Sequence, residues 1–331
     1  MRRAGVISRL FILAISVALA FFICPASYAS EGSAGGETTS IQLTHDGIDR
    51  DFYLHLPAGF EKNQPSPVVF VLHGGGGSAD RMLTRQARDF ISLSDREGFI
   101  LVYPNGYPDQ TGSARHHWND GRKKSRWRAH RLDIDDVGFF SAMIDLLIKE
   151  YNADPKRIYA TGISNGGLMS YRLACELSDR IAAVAAVTAN LTPEISRFPS
   201  KGPISILIMN GTEDPLMIYE GGEITFREMR LGKILSTAET VKFWLDRNQC
   251  QAKPQITREP DLDPQDGTRV SREAYGPCKE GTEVILYTIE GGGHTWPGGV
   301  QYLHERLIGK VSRDIDADKV IWEFFKRHRR N

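Results

Sequence analysis

Residues 161–174 read TGISNGGLMSYRLA and set Ser164 between Gly162 and Gly166 in a Gly-x-Ser-x-Gly spacing that occurs once in the chain. Three fixed letters in five recur easily by chance, so the flanks decide what the motif means. Before it lies RIYAT, a short β-branched and aromatic run that reads as a strand. After it, GLMSYRLACEL sets Leu168, Tyr171, Leu173 and Cys175 on one helical face. A serine at such a strand-to-helix turn is held in a strained backbone, and the glycines let helix and strand approach closely. The competing reading is an ordinary glycine-rich loop.

A serine hydroxyl is a poor nucleophile near neutral pH and needs a base that a carboxylate orients. In strand-turn-helix serine sites these partners follow the serine in the order acid, then histidine. His294, His304 and His328 lie far enough downstream. His328 falls in a basic terminal helix, and His304 in QYLHERL reads as helix or loop. His294 in EGGGHTWPGG directly follows the strand EVILYTIE, at the carboxyl end where catalytic groups of open α/β sheets collect. His294 is therefore the candidate general base. The strand ISILIMNG runs into Glu213 and Asp214; Asp214 is the first choice of acid and Glu213 the reserve. Asp133, Asp135 and Asp136 precede Ser164 and read as caps or loop residues. A developing oxyanion needs backbone N–H donors. The spacing offers those of Asn165, just after the serine, and of Gly75, within the Gly74–Gly77 run of LHGGGGSAD. A phosphate-binding loop would end in Gly-Lys-Ser/Thr, and this run does not.

The elements that must carry these residues are strands alternating with helices. PVVFVLH, FILVYP, RIYATGIS, AAVAAVT, ISILIMNG and EVILYTIE are continuous apolar runs, as expected of strands buried on both faces. DDVGFFSAMIDLLIKEYN and DADKVIWEFFKRHRR carry helical stripes, the first with Asp135 or Asp136 as N-cap. The expected class is α/β, a mostly parallel sheet with helices on both faces. IQLTHDGIDRDFYLHLP reads as a hairpin ahead of it. One domain is expected over 41–331. Two insertions stand out: RKKSRWRAHR, residues 122–131, with six Lys/Arg and Trp127, and a polar Pro-rich excursion from Gln251. The first reads as a solvated basic loop or as a surface for anionic or sugar-bearing substrates.

The 331 residues hold 41 Lys+Arg against 41 Asp+Glu, a balance that gives no sign of a nucleic-acid partner. At the amino end, Arg2, Arg3 and Arg9 precede an apolar run from Leu10 to Ile23 and a Ser27-Tyr28-Ala29 site. Residues 1–29 read as a secretory signal peptide, the run being too short for the roughly 20 residues of a membrane span. Secretion or periplasmic export is expected, with no stable membrane anchor and a disordered stretch over 30–40. Three cysteines remain after cleavage. Cys175 lies on an apolar helix face as a buried thiol, whereas Cys250 and Cys278 sit in polar sequence. A bridge between the latter two would close a loop of about 29 residues, stabilising by about 3–4 kcal/mol.

Taken together, VLHGGGGSA, YPNG, WND, IDDVGFF, RIYATGISNGGLMSYRLACELSDRIAAVAAV, NGTEDP and GGGHTWPGG resemble the secreted esterases that include polyhydroxybutyrate depolymerases and feruloyl esterases, of the α/β-hydrolase fold. The resemblance spans about residues 45–325. It implies ester hydrolysis by a triad carried onto Ser164, Asp214 and His294, with no metal or organic cofactor, and a Cys250–Cys278 bridge. It implies a small or oligomeric ester substrate. The chain departs from plainer members in its basic insertion, and without an evident adsorption module crystalline polyester is not the expected substrate. Trp118 and Trp296 are expected either to wall the substrate pocket or simply to pack. An acyltransferase with the same triad and a non-catalytic binding protein are the rival readings.

Overall fold

The computed structural model describes residues 35–123, 126–199, 201–226, 228–251 and 253–331. The expected signal peptide, residues 1–29, and the beginning of the 30–40 stretch lie outside the described residues. The first strand, β1 (Glu37–His45), pairs antiparallel with β2 (Ile48–Leu56) along its whole length. Asp46 and Gly47 both take positive φ (50° and 72°), the two-residue turn that matches the twist of a hairpin and fixes its register. With register fixed, pairing runs out to Glu37 opposite Leu56, and the Thr38 hydroxyl meets His55 Nδ1 at 2.8 Å. The expectation of disorder up to residue 40 is corrected accordingly: Glu37–Ser40 are strand.

The other strands follow in chain order. They are β3 (Ser66–Leu72), β4 (Ile100–Pro104), the short pair β5 (Tyr107–Pro108) and β6 (His116–His117), β7 (Ala153–Ile163), β8 (Ala183–Val187) and β9 (Ser205–Gly211). Then come the hairpin β10 (Gly222–Phe226) and β11 (Met229–Ile234), and finally β12 (Gln255–Arg258), β13 (Arg269–Tyr275) and β14 (Val284–Glu290). Ten of these form one sheet in the order β1-β2-β4-β3-β7-β8-β9-β14-β13-β12. Its centre, from β4 to β14, is parallel, and an antiparallel pair flanks each side. Every residue of β3, β8 and β9 is buried, as apolar runs covered on both faces require. The Pro-rich excursion supplies β12 and β13, so it extends the sheet instead of looping free. A Cys250–Cys278 disulfide pins it.

The helices are α1 (Ala79–Arg81), α2 (Asp89–Glu97), α3 (Arg128–Arg131), α4 (Asp136–Tyr151), α5 (Asn165–Glu176), α6 (Thr237–Asn248), α7 (Glu305–Ile308) and α8 (Ala317–Phe325). Alternation along β3 divides the core: Val68, Phe70 and Leu72 join Phe140, Leu168 and Trp244 from α4, α5 and α6. Val69 and Val71 face the other side, with Phe90 of α2 and Ile321 and Phe325 of α8. The cap of α4 is Asp135, whose carboxylate accepts the Gly138 N–H at 2.9 Å. Asp136 instead forms a buried ion pair with Arg50 at 2.7 Å. No helix among the described residues is long and apolar enough to cross a membrane.

Candidate active site

The turn between β7 and α5 holds Ser164 at φ 57°, ψ −121°, a conformation that costs an L-residue free energy and persists only where its surroundings enforce it. Two close approaches do so. A Cβ on Gly166 would lie 2.5 Å from the Leu72 carbonyl oxygen, and one on Gly162 would lie 2.6 Å from the Gly166 carbonyl carbon. Neither can be anything but glycine while β3, β7 and α5 stay packed as they are. The Ser164 N–H donates to the Val187 carbonyl at 3.0 Å, which ties the turn to β8.

His294 follows β14, and Asp214 follows its parallel neighbour β9, so the sheet brings together residues 80 positions apart. His294 Nδ1 lies 2.8 Å from Asp214 Oδ2, and both side chains are buried. The other oxygen, Oδ1, accepts the Leu216 and Met217 N–H groups, each at 2.8 Å. An ionised carboxylate can only accept, so Nδ1 carries the imidazole proton and Nε2 keeps a lone pair. Glu213 is exposed, and of the two candidate acids it is Asp214 that meets His294. His304 caps α7, and His328 lies against Phe324 and Glu283; neither lines the cavity described next.

Ser164, Asn165, His294 and the Gly74–Gly77 loop line one cavity of about 610 Å³. Gly75 and Asn165 are neighbours, a Cβ on the glycine falling 3.5 Å from that of Asn165. The first N–H groups of a helix have no partner within it, so those opening α5 are donors aimed outward. Two buried polar networks hold this part of the cavity. His73 Nε2 accepts the Gly106 N–H at 3.0 Å, which places its proton on Nδ1, facing the Gly74 carbonyl at 2.8 Å. Burial pushes the His73 pKa down to about 3, so the glycine loop is anchored by a neutral ring. The Asn165 amide brackets Trp118, accepting its N–H and donating to its carbonyl, and donates to Asp120 Oδ2 at 2.6 Å. Burial alone would raise the Asp120 pKa, but Arg122 and His130 beside it hold it well below the usual carboxylate range.

The expectation that Trp118 and Trp296 wall the pocket is corrected: neither lines the cavity. An indole N–H seeks an acceptor when buried. That of Trp118 finds the His73 carbonyl at 3.0 Å behind the glycine loop. That of Trp296 finds Asp318 at 2.7 Å, and Trp296 borders a separate cavity of about 240 Å³. The tryptophan on the wall is Trp127, stacked on His117 at 3.9 Å. His117 also lines the cavity, with Nδ1 2.7 Å from Asp109. The basic insertion divides: Arg122 is buried against Asp120 and reaches the cavity, whereas Lys123, Arg126 and Arg131 are exposed. The spacing gave no sign of His117–Asp109, and Asp120 entered the sequence reading only as part of the WND motif. One group of possible metal ligands occurs among the described residues, His45, Asp46 and Asp135. Asp135 there caps α4 and bonds His45, and none of the three lines the cavity.

Residues 46–262 match the model of the family described as "Putative esterase". "Putative esterase NocK" of Nocardia uniformis subsp. tsuyamanensis is 30% identical over 88% of this chain and 83% of its own length. Feruloyl esterase D of Neurospora crassa is 25% identical over 98% and 99%. Feruloyl esterase B of Piromyces equi is 31% identical over 74% of this chain but only 42% of that longer protein. Among solved structures, the acetyl xylan esterase of Aspergillus awamori superposes with a TM-score of 0.55 at 16% identity, covering 87% of this chain and 98% of that one. A ferulic acid esterase of Anaeromyces mucronatus superposes at 0.51 and 18%, covering 83% and 91%. At such identities these two likenesses bear on the fold, which is that of the α/β-hydrolases. The chain belongs to the esterase family and is an ester hydrolase.

Proposed function

We propose that the chain cleaves carboxylic esters by two-step acyl transfer, with Ser164 as nucleophile, His294 as general base and then acid, and Asp214 holding the imidazole. The observation that carries this reading is the positive-φ Ser164 in one cavity with a His294 whose Nδ1 is held by Asp214. Nε2 takes the serine proton as Oγ attacks the ester carbonyl. The N–H groups of Asn165 and Gly75 stabilise the oxyanion, the alcohol leaves with the proton, and water resolves the acyl-enzyme by the reverse path. No step calls for a metal or an organic cofactor. The substrates are feruloyl or acetyl esters of plant polysaccharide, or hydroxyalkanoate oligomers, in keeping with relatives named as feruloyl esterases. Export through residues 1–29 fits the Cys250–Cys278 disulfide, which an oxidising compartment preserves.

Ser164→Ala should abolish turnover of a short-chain p-nitrophenyl ester while leaving the circular dichroism spectrum unchanged. Normal activity in that variant would remove Ser164 from the mechanism. Methyl ferulate, acetylated xylan and hydroxybutyrate oligomers, assayed side by side with and without alcohol acceptors, separate the substrate classes and expose any acyl transfer.

A further inference from the structure

We infer that the substrate ester carries a carboxylate, recognised by Arg85 and Arg115 at the cavity wall. The inference rests on the ester-hydrolysis reading above and deepens it. Four arginines line the cavity, Arg81, Arg85, Arg115 and Arg122, and among the described residues lining it there is no Asp or Glu. The protein as a whole is balanced, 41 basic residues against 41 acidic, so the one-sided charge is local and not a by-product of a basic chain.

Three carboxylates that hold residues of this cavity are engaged there, and Arg85 also borders the second cavity, which Asp89, Asp316 and Asp318 line. Asp120 holds Arg122, His130 and Asn165; Asp109 holds His117; Asp214 holds His294. Among the described residues no carboxylate forms an ion pair with Arg81, Arg85 or Arg115. Arg81 is turned in part to the glycine loop, its Nη1 3.4 Å from the Gly76 carbonyl. The Arg115 guanidinium lies over the same loop, 3.3 Å from where a Gly76 Cβ would stand. Arg85 is exposed on the π-helical turn Met82–Gln86. Arg115, beside the glycine loop and within the field of Asp109 but in no ion pair, and Arg85 share one cavity with Ser164, and guanidinium forks match the planar, two-oxygen geometry of a carboxylate. The same cavity also has apolar lining, with Leu216, Met217, Ile224, Met229 and Leu231. A half-ester of a dicarboxylic acid, or an ester of an acidic sugar, would meet both kinds of lining.

The test compares kcat/KM of the purified protein on three esters: p-nitrophenyl butyrate, the mono-p-nitrophenyl ester of glutaric acid, and 4-(butyryloxy)benzoate. The second carries its carboxylate on the acyl part, and the third carries it on the alcohol part and releases 4-hydroxybenzoate. Each carboxylate ester is referred to a neutral ester with the same acyl or leaving group: the second to p-nitrophenyl butyrate, which shares its leaving group, and the third to methyl 4-(butyryloxy)benzoate, which shares its acyl group and masks the carboxylate. The expected ratio of charged to neutral ester exceeds about tenfold for one of the two at low ionic strength, the size of one charge-assisted hydrogen bond. Arg85→Gln, Arg115→Gln and the double variant should each lower that ratio, the double variant to about one. Salt near 0.5 M should shrink it in the parent protein, because exposed charges are screened. Turnover of neutral esters with both ratios below about ten overturns the inference and leaves the ester-hydrolysis reading standing. A ratio above ten that survives the double substitution overturns the assignment to these arginines. Turnover of none of the esters overturns the underlying reading, and the inference with it.

Discussion

Two histidines line the cavity and each holds an aspartate at nearly the same distance, His294–Asp214 at 2.8 Å and His117–Asp109 at 2.7 Å. Their supports differ. The first pair stands on loops leaving adjacent parallel strands, β14 and β9, and Asp214 is fixed by two further backbone N–H groups. In the second, His117 belongs to the two-residue strand β6 and Asp109 directly follows β5, with the ring stacked on Trp127. Burial pushes the His117 pKa down to about 3, and His130, Arg115 and Arg122 push the same way, so this ring stays neutral across the working range. The shared Asp–His pairing therefore does not by itself mark a catalytic base; what sets the proposed base, His294, apart is its place at the carboxyl end of a parallel strand, in one cavity with Ser164.

Substitutions can break this comparison. His294→Gln should lower kcat by a factor on the order of 10⁵–10⁶, and Asp214→Asn by about 10⁴, since the proton then sits on the wrong nitrogen. His117→Asn should cost less than about tenfold in kcat, the work of a contact and not of a base. A loss at His117 equal to that at His294, measured on one ester under saturating conditions, would erase the distinction.

The Asp120 network sharpens the comparison from behind. Asp120→Asn loosens Asn165, whose N–H is the proposed oxyanion donor, and should lower kcat by up to about a hundredfold with little change in KM. It also leaves Arg122 buried without its counter-charge, so Tm should fall in the same variant. A rise in KM with kcat intact would show Asp120 shaping the pocket and not positioning the donor.

The smallest effect lies away from the cavity, at Asp318. Burial pushes its carboxyl up to about 8 while its oxygen accepts the Trp296 N–H. A carboxyl raised in the folded state stabilises fully below its unfolded value near 4, and that contribution is lost as pH rises toward 8. Asp318→Asn keeps an acceptor for Trp296 and removes the titration. Its Tm advantage over the parent should grow from pH 5 to pH 8 by a few degrees, read by thermal melts, with ester turnover unaffected.

The contrast between the two walls also explains what the sequence made legible. The placement of Ser164 at the turn after β7 and of His294 after β14 could be read because strands and the residues that end them leave strong local signals: apolar runs, and glycines forced by close approach. The sequence already ranks Asp214 ahead of Glu213, but the burial that separates the two is not legible in adjacent carboxylates. The strand at Glu37–Ser40 was hidden because its small polar residues carry no apolar alternation and are held by register from the turn. The place of Trp118 and Trp296, at the pocket wall or in packing, stayed open because an indole donor is satisfied as well by a buried carbonyl or carboxylate as by a cavity edge. Arg85 and Arg115 lie in a five-residue π-helical turn and beside a two-residue strand, segments too short to carry a period.

The central assignment is that Ser164 is the nucleophile, and active-site labelling addresses it most directly. The purified protein is treated with a fluorophosphonate probe, digested and mapped by mass spectrometry. One equivalent of probe on the peptide containing Ser164, with parallel loss of ester turnover and no label in His294→Gln, is the expected result. Label on another residue, or complete inactivation with Ser164 unmodified, would contradict it.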